Sequence, residues 1–156
     1  MTVATTVKSF LTDKGIEYDV VSHPKTYSSA ETAAAAHIPD DHIAKGVVLK
    51  DEDGYMLAVI PGSEWINMER VRDEMNRDLH LATEEEITSL LPDCQLGAVP
   101  PIGEAYGLDT ILDEDLTSLA KVYLEAGSHE ELVVVSNEQF NALMKGVRHG
   151  HFCAVA

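Results

Sequence analysis

Basic residues are scarce in this chain. Its 156 residues include 11 lysines and arginines against 27 aspartates and glutamates, a formal net charge of -16. Proteins that bind long duplexes carry a basic surface, because neutralising phosphates supplies much of their affinity. The composition therefore argues against DNA as a partner and against tight binding to any long duplex. The acidic runs at 51–53, 84–86 and 113–115 are interpreted as solvated turns and helix surfaces.

Long apolar runs are also missing. No stretch approaches the roughly 20 apolar residues that span a bilayer, and residues 1–8 lack the basic and apolar regions of a signal peptide. Cys94 and Cys153 are far apart and form no metal-binding pair, which fits a reducing compartment. We therefore expect a cytoplasmic protein with no membrane partner. The length suits a single domain over 1–156, with a flexible tail from about residue 146.

No familiar catalytic motif is present, neither a Gly-x-Ser-x-Gly elbow nor a P-loop nor His-Glu-x-x-His. The most informative residue that remains is Lys45, inside the apolar run 43–49. If this run is a strand, alternation places Lys45 on the same face as Val47 and Leu49. An ammonium on an apolar face costs free energy unless it is paired or lines a wet cleft. Two interpretations follow: an edge-strand lysine that reaches water, or a cleft lysine that meets an anion.

The remaining patterns predict an α+β domain. Apolar runs on either side of the Asp51–Gly54 turn predict one hairpin, and runs over Lys121–Glu125 and Glu131–Val135 predict a second. The hairpins favour an antiparallel sheet over repeated βαβ units. Helix starts are predicted at three capping patterns, and further helices are predicted at 3–11 and 67–76 and strands at 16–21 and 108–112. The capping patterns are Ser28 with Glu31, Thr83 with Glu86, and Ser136 with Gln139.

Two further features suggest chemistry. The loop Gly97–Gly103 contains adjacent prolines that fix the backbone and glycines that permit close approach of a ligand. Fixed backbone dipoles of this kind suit an oxyanion that develops at a carbonyl, although a purely structural crossover fits equally well. His129, close to Gly127, is interpreted as a base, a ligand contact or a turn residue. A third hypothesis places zinc at His149, His151 and Cys153, which alternate along the chain. No fourth ligand is evident nearby, so a flexible tail without metal is the preferred interpretation of this segment.

Taken together, these residues resemble the YbaK-like family, which includes the editing domain inserted in bacterial prolyl-tRNA synthetases. Four segments carry the resemblance over most of the chain. They are the alanine-rich helix start Tyr27–Ala34, the lysine strand Ile43–Lys45, the loop Gly97-Ala98-Val99-Pro100-Pro101 and the turn Gly127-Ser128-His129.

The resemblance implies a mixed, mostly antiparallel, barrel-like sheet flanked by helices, and a deacylase that acts in trans on mischarged tRNA without metal or cofactor. Lys45 would anchor the acceptor end, the Gly97–Pro101 backbone would hold the aminoacyl group and position water, and His129 would shape the pocket. The implied partners are the aminoacyl-tRNA acceptor end and prolyl-tRNA synthetase or another synthetase. A non-catalytic binding module on the same fold is the alternative. The implied catalytic residues are Lys45, Gly97, Pro101 and His129, and the implied substrate-binding residues are Tyr27, Ser28, Gly46, Ala98, Val99 and Pro100.

The loop departs from the family pattern at Pro100, where many relatives carry a small polar residue. Proline removes a backbone donor at this position. The resemblance therefore leaves open which amino acid the pocket accepts.

Overall fold

The computed structural model describes residues 3–26 and 28–153. The helices in these ranges are α1 (Thr5–Asp13), α2 (Ser29–Ala36), α3 (Met68–Met75), α4 (Glu84–Leu90) and α5 (Asn137–Leu143). The strands are β1 (Asp19–Ser22), β2 (Ile43–Asp51), β3 (Gly54–Pro61), β4 (His80–Leu81), β5 (Asp109–Asp113), β6 (Lys121–Glu125), β7 (Glu131–Ser136) and β8 (Arg148–Gly150). Short 3₁₀ turns occupy Asp40–His42, Gly103–Tyr106 and Glu114–Ser118.

The strands form one mixed sheet in the order β1-β7-β6-β2-β3-β5-β8, with β4 paired to β2. The pairs β1–β7, β6–β7, β2–β3 and β2–β4 are antiparallel, and β2–β6, β3–β5 and β5–β8 are parallel. The α+β prediction is confirmed. The sheet is open rather than barrel-like, because β1 and β8 lie at opposite ends of this order instead of pairing with each other.

The central hairpin forms at the predicted acidic turn. Asp51 pairs with Gly54 in the β2–β3 register, and its Oδ1 accepts the backbone N–H groups of Asp53 and Gly54 at 2.9 and 3.2 Å. Arg77 donates to both oxygens of the same carboxylate, from Nε at 2.6 Å and from Nη2 at 2.7 Å. These bonds hold the Asp51 pKa down at about 2, the Arg77 hydrogen bond having the largest effect.

The two faces of β2 pack against different parts of the protein. Ala44 and Val48 point into the larger core, between the sheet and helices α1 and α5. Leu49 points the other way, into a smaller core with Phe152. Lys45 lies on this second face, as the alternation of the strand predicts, and β2 is a central strand rather than an edge.

The predicted helix caps are confirmed. The side chains of Ser28, Thr83 and Ser136 accept the backbone N–H three residues further along. Thr83 and Glu86 form a complete capping box, in which the Glu86 carboxylate accepts the Thr83 N–H at 2.9 Å.

The fold holds the end of the described chain. Residues Arg148–Gly150 pair with β5, and the side chain of Phe152 is fully buried. The Phe152 N–H donates to Asp113 Oδ2 at 3.1 Å, and Asn67 N–H donates to the Phe152 carbonyl at 2.7 Å. The segment 148–153, which the sequence analysis expected to belong to a flexible tail, is therefore part of the sheet and the core. None of the helices formed by residues 3–26 and 28–153 has the length and apolarity needed to span a bilayer.

Candidate functional site

A cleft of about 360 Å³ opens on the Lys45 side of the central hairpin. One wall is strand β2 and its partner β3, a second is the segment 64–66 that follows β3, and a third is the loop at 97–99. The cleft is mostly apolar, with one ammonium and one carboxylate among its side chains. Its lining residues are Ser28, Lys45, Gly46, Val47, Ile60, Glu64, Trp65, Ile66, Leu81, Gly97 and Val99.

Lys45 is the cation of this cleft. Its Nζ donates to the Gly62 carbonyl at 3.3 Å and lies over the Trp65 ring, 5.6 Å from the ring centroid. Burial lowers the pKa of Lys45, an effect that the nearby Cys153 and Glu125 oppose. Among the described residues no ion pair involves Lys45, so its ammonium keeps capacity for an anionic or strongly polar ligand.

Gly46 allows the loop at 97–101 to approach β2. Its N–H donates to the Val99 carbonyl at 3.2 Å. A Cβ on Gly46 would lie 2.9 Å from the Pro100 carbonyl oxygen and 2.9 Å from Leu57, closer than such atoms pack. Glycine is therefore required here by backbone contact. Gly97 has φ +84°, in the left-handed region that glycine adopts without a Cβ penalty.

His129 supports the loop from behind. Its N–H donates to Gln95 Oε1 at 2.9 Å, and its Nε2 lies 2.6 Å from the Leu96 carbonyl oxygen. Beside it, Gly127 N–H donates to the Ala98 carbonyl at 2.8 Å. His129 is buried and does not line the cleft. His129 therefore contacts the loop rather than the cleft, and its predicted role in shaping the pocket stays a prediction.

The structure brings only part of the predicted site together around the cleft. Ala98, Pro100 and Pro101 are buried within the loop rather than open to the cleft. Ser28 lines the cleft while its Oγ caps α2 by accepting the Glu31 N–H at 3.1 Å. Tyr27 lies outside the described residues. The predicted residues that line the cleft are Ser28, Lys45, Gly46, Gly97 and Val99.

Sequence reasoning missed the segment that follows β3. Glu64, Trp65 and Ile66 form a wall of the cleft, and the Trp65 side chain is 79% exposed. Leu81 of β4, 57% exposed, is a further apolar residue on the cleft. The available signal was composition: Trp65 is the only tryptophan in the chain, and it follows the Pro61-Gly62 turn.

The three residues of the zinc hypothesis, which the sequence analysis disfavoured, do not form one group among the described residues. Among residues 3–26 and 28–153, the groups with suitable spacing are Glu64 with Asp113 and Cys153, and Asp113 with Asp115 and His151. Both groups share Asp113, whose two oxygens accept the N–H groups of Asp115 and Phe152. Burial raises the pKa of the Cys153 thiol well above its usual range, which disfavours the thiolate that binds metal. Asp113 is better explained as a structural residue that holds the chain end.

The comparisons with known proteins identify the family. Residues 23–143 match the aminoacyl-tRNA editing domain family. This chain belongs to that family. The match covers the lysine strand, the glycine-proline loop and the turn at 127–129, so the resemblance to YbaK-like editing domains is confirmed.

Individual relatives agree with this assignment. The editing domain is 28% identical over 118 residues to a proline–tRNA ligase of Bacillus cytotoxicus, covering 75% of this chain and 20% of the relative. It is 28% identical over 130 residues to proline–tRNA ligase 1 of Bacillus thuringiensis, covering 83% and 22%. The chain thus spans about a fifth of the length of these curated relatives.

A solved structure resembles the editing domain over nearly its whole length. It is described as a candidate trans-editing enzyme for prolyl tRNA synthetase, and its identity to this chain is 26%. The alignment covers 96% of each chain with a TM-score of 0.84. The relation to prolyl-tRNA synthetases and to editing is therefore supported by both sequence and structure.

Proposed function

We propose that this editing domain hydrolyses the ester between a small, wrongly attached amino acid and the terminal ribose of a tRNA, acting in trans and in the cytoplasm. The observation that carries the proposal is the position of the Lys45 ammonium in an open cleft beside the Gly97–Val99 loop. Family membership supplies the substrate class. The open cleft beside Lys45 supports the proposal that the acceptor end binds there.

Lys45 is proposed to anchor the acceptor end through a phosphate or ribose oxygen. Its contacts to the Gly62 carbonyl and the Trp65 ring hold the ammonium in place and leave it able to donate further. In the half-buried cleft a charge-assisted hydrogen bond is stronger than in water. Lys45 is therefore assigned to positioning substrate rather than to attack on the ester.

The reaction needs little covalent chemistry from the protein. The water oxygen attacks the ester carbonyl carbon, and the bond between this carbon and the ribose oxygen breaks. One proton of the water passes to the ribose oxygen, which leaves as a free hydroxyl group. An aminoacyl ester is already activated, so orienting water and substrate and stabilising the oxyanion supply much of the rate. The loop backbone at Gly97–Val99 is proposed to hold the aminoacyl group, and the substrate's own ribose hydroxyl to assist the attack.

The need for such an enzyme follows from a physical limit on synthetases. A single methylene changes binding by only about 1–3 kcal/mol, so a synthetase pocket cannot fully reject a smaller amino acid. A separate site that hydrolyses the wrong product removes the error. We propose prolyl-tRNA synthetase or another synthetase as the source of the mischarged tRNA and as a partner of this domain.

The deciding experiment is a deacylation assay on a panel of tRNAs charged with non-cognate amino acids, including alanine and cysteine. The purified domain should release at least one small amino acid, and Lys45→Ala should remove most of this activity. Lys121→Ala removes an exposed lysine on β6 outside the cleft and should leave activity intact. If every charged tRNA stays intact at micromolar protein, the deacylase proposal is wrong and a non-catalytic binding module becomes the better description.

A further inference from the structure

Trp65 is held outward on a fixed backbone. Its neighbours are anchored on both sides: Gly62 N–H donates to the Ile43 carbonyl at 2.6 Å, Ile66 forms an antiparallel bridge with Cys153, and Asn67 N–H donates to Phe152. The side chain is nevertheless 79% exposed. Burial of a large aromatic side chain stabilises a fold strongly. The only tryptophan of this chain does not contribute to stability in this way, because it is exposed. The placement is therefore better explained by contact with a ligand than by packing.

The Trp65 indole also makes a cation–π contact with Lys45, the cation of the cleft. Lys45 Nζ lies over the ring at 5.6 Å from the centroid, which directs the ammonium and the aromatic surface to the same ligand. Most of the rest of the ring is open to solvent. A ligand that fits must combine an anionic or hydroxyl-bearing part for Lys45 with a flat apolar part for Trp65. A nucleotide has both.

We propose that Trp65 is a stacking platform for an unpaired nucleobase at the 3′ end of the tRNA, while Lys45 contacts the sugar-phosphate backbone next to that base. This inference rests on the proposed function and adds a binding residue to it. Aromatic side chains bind single-stranded nucleic acid by stacking, and they do so with little sequence preference because every base has a flat face. Trp65 thus contributes affinity rather than choice of tRNA.

The acidic surface makes such a contact valuable. With a net charge of -16, the domain cannot depend on a broad basic surface to hold RNA. Stacking is much less sensitive to salt and to the overall charge than phosphate contacts are. A stacked base next to a single ammonium gives local affinity for the acceptor end without a basic surface around it.

The test uses an uncharged RNA minihelix that ends in CCA, labelled for anisotropy, so that binding is measured without hydrolysis. Trp65→Ala should raise the Kd between about 5-fold and about 150-fold, the range of one lost stacking contact. Trp65→Phe keeps an aromatic face and should recover most of the affinity. Val20→Ala removes another exposed apolar side chain, on β1 and outside the cleft, and should leave the Kd unchanged.

A second readout needs no label. Because Trp65 is the only tryptophan, emission excited at the red edge of the absorption band, where the five tyrosines absorb little, reports this position in the wild-type domain. The CCA minihelix should quench it, and minihelices shortened by one, two or three 3′ nucleotides should identify the base that stacks. An equal Kd for wild type and Trp65→Ala, or emission unchanged at saturating RNA, would overturn the inference. Thermal unfolding of Trp65→Ala should match wild type, since an exposed side chain contributes little to stability.

The two proposals fail in different ways. If Trp65→Ala weakens RNA binding but no mischarged tRNA is hydrolysed, the stacking inference stands and the deacylase proposal fails. If deacylation occurs and Trp65→Ala changes neither KM nor the Kd for the minihelix, the deacylase proposal stands and the stacking inference fails.

Discussion

Two lysines on strand β2 show how position changes the use of the same side chain. Lys50 lies near the hairpin turn, where its Nζ is 2.9 and 3.0 Å from the two oxygens of the Glu86 carboxylate. Lys45 lies at the other end of the strand and on its opposite face, where its contacts are a carbonyl oxygen and an aromatic ring. Hydrogen bonding to Glu86 raises the pKa of Lys50, whereas burial lowers the pKa of Lys45.

We propose that the difference separates a structural lysine from a functional lysine within one strand. The Lys50 ammonium is neutralised by a carboxylate that also accepts from Tyr55 and caps α4, so it belongs to a structural network. The Lys45 ammonium is partly removed from water, and no carboxylate among the described residues lies within ion-pair distance of it, although the Glu125 carboxylate is close enough to oppose the effect of burial on its pKa. Such a group costs stability, and natural proteins accept this cost at functional sites.

The largest expected effect comes from replacing Lys45 and Lys50 in turn and comparing the activity and the Tm of the two variants. Lys45→Met should lower kcat/KM for deacylation by about 10-fold to about 150-fold, the range for losing one hydrogen bond to a charged group. It should leave Tm unchanged or higher, because an apolar side chain replaces a partly buried ammonium. Deacylation kinetics and calorimetry on the same preparations measure both quantities.

The matched variant Lys50→Met should behave in the opposite way. It breaks a partly exposed ion pair, so Tm should fall by no more than about 4 °C while kcat/KM is retained. Equal losses of activity in the two variants would remove the distinction between the two ends of the strand.

Gly46→Ala should give the next largest effect. The added Cβ meets the Pro100 carbonyl oxygen at 2.9 Å, so the loop must move away from β2. Overpacking of this kind costs about 1–3 kcal/mol in the free energy of unfolding, and the displaced loop should lower activity as well. Gly107→Ala is the control, since Gly107 has φ +70° and open space around it. Urea unfolding should show a loss of stability in both variants, and deacylation should be impaired in Gly46→Ala alone.

The lowered pKa of Lys45 predicts a pH dependence of RNA binding. Lys45 loses its proton at a pH below the usual value of 10.5, so its contribution to affinity should fall in the alkaline range before an ordinary lysine titrates. Titrations of an uncharged CCA minihelix at increasing pH measure this effect. Lys45→Arg keeps its charge throughout the range and should show a flatter profile. If the Kd of wild type and that of Lys45→Arg depend on pH in the same way, the charge of Lys45 does not contribute to RNA binding.

Features set by local pattern were predictable from the sequence. The two hairpins, the three helix caps and the face on which Lys45 lies all depend on residues within a few positions of one another. The hairpin at Asp51–Gly54 formed as predicted because an aspartate and a glycine near the turn favour it regardless of the rest of the chain. Family resemblance then supplied the loop at 97–101 as a partner of Lys45.

Features set by distant contacts were not predictable. The β8 segment joins the sheet beside β5, where Asp113 accepts the Phe152 N–H across 39 positions of sequence. His129 turns toward the Leu96 carbonyl rather than into the cleft because the loop approaches it from elsewhere in the chain. Trp65 was missed because exposure of an aromatic residue after a turn leaves no periodic signal.

The smallest predicted effect concerns Glu86, the partner of Lys50, and is measured as a change in the free energy of unfolding at acidic pH. Hydrogen bonds, first from the Tyr55 hydroxyl at 2.5 Å and then from Thr83 and Lys50, hold the pKa of Glu86 at about 2. Because this folded pKa lies below the unfolded value of 4.5, the unfolded chain takes up the proton first as the pH falls. The stability contributed by ionised Glu86 is therefore complete above about pH 4.5 and is lost progressively toward pH 2. Urea midpoints for wild type and Glu86→Gln should converge over this window. A constant offset between these two proteins would show that the network around Lys50 does not stabilise the fold through this charge, and the contrast between the two lysines would then rest on Lys45 alone.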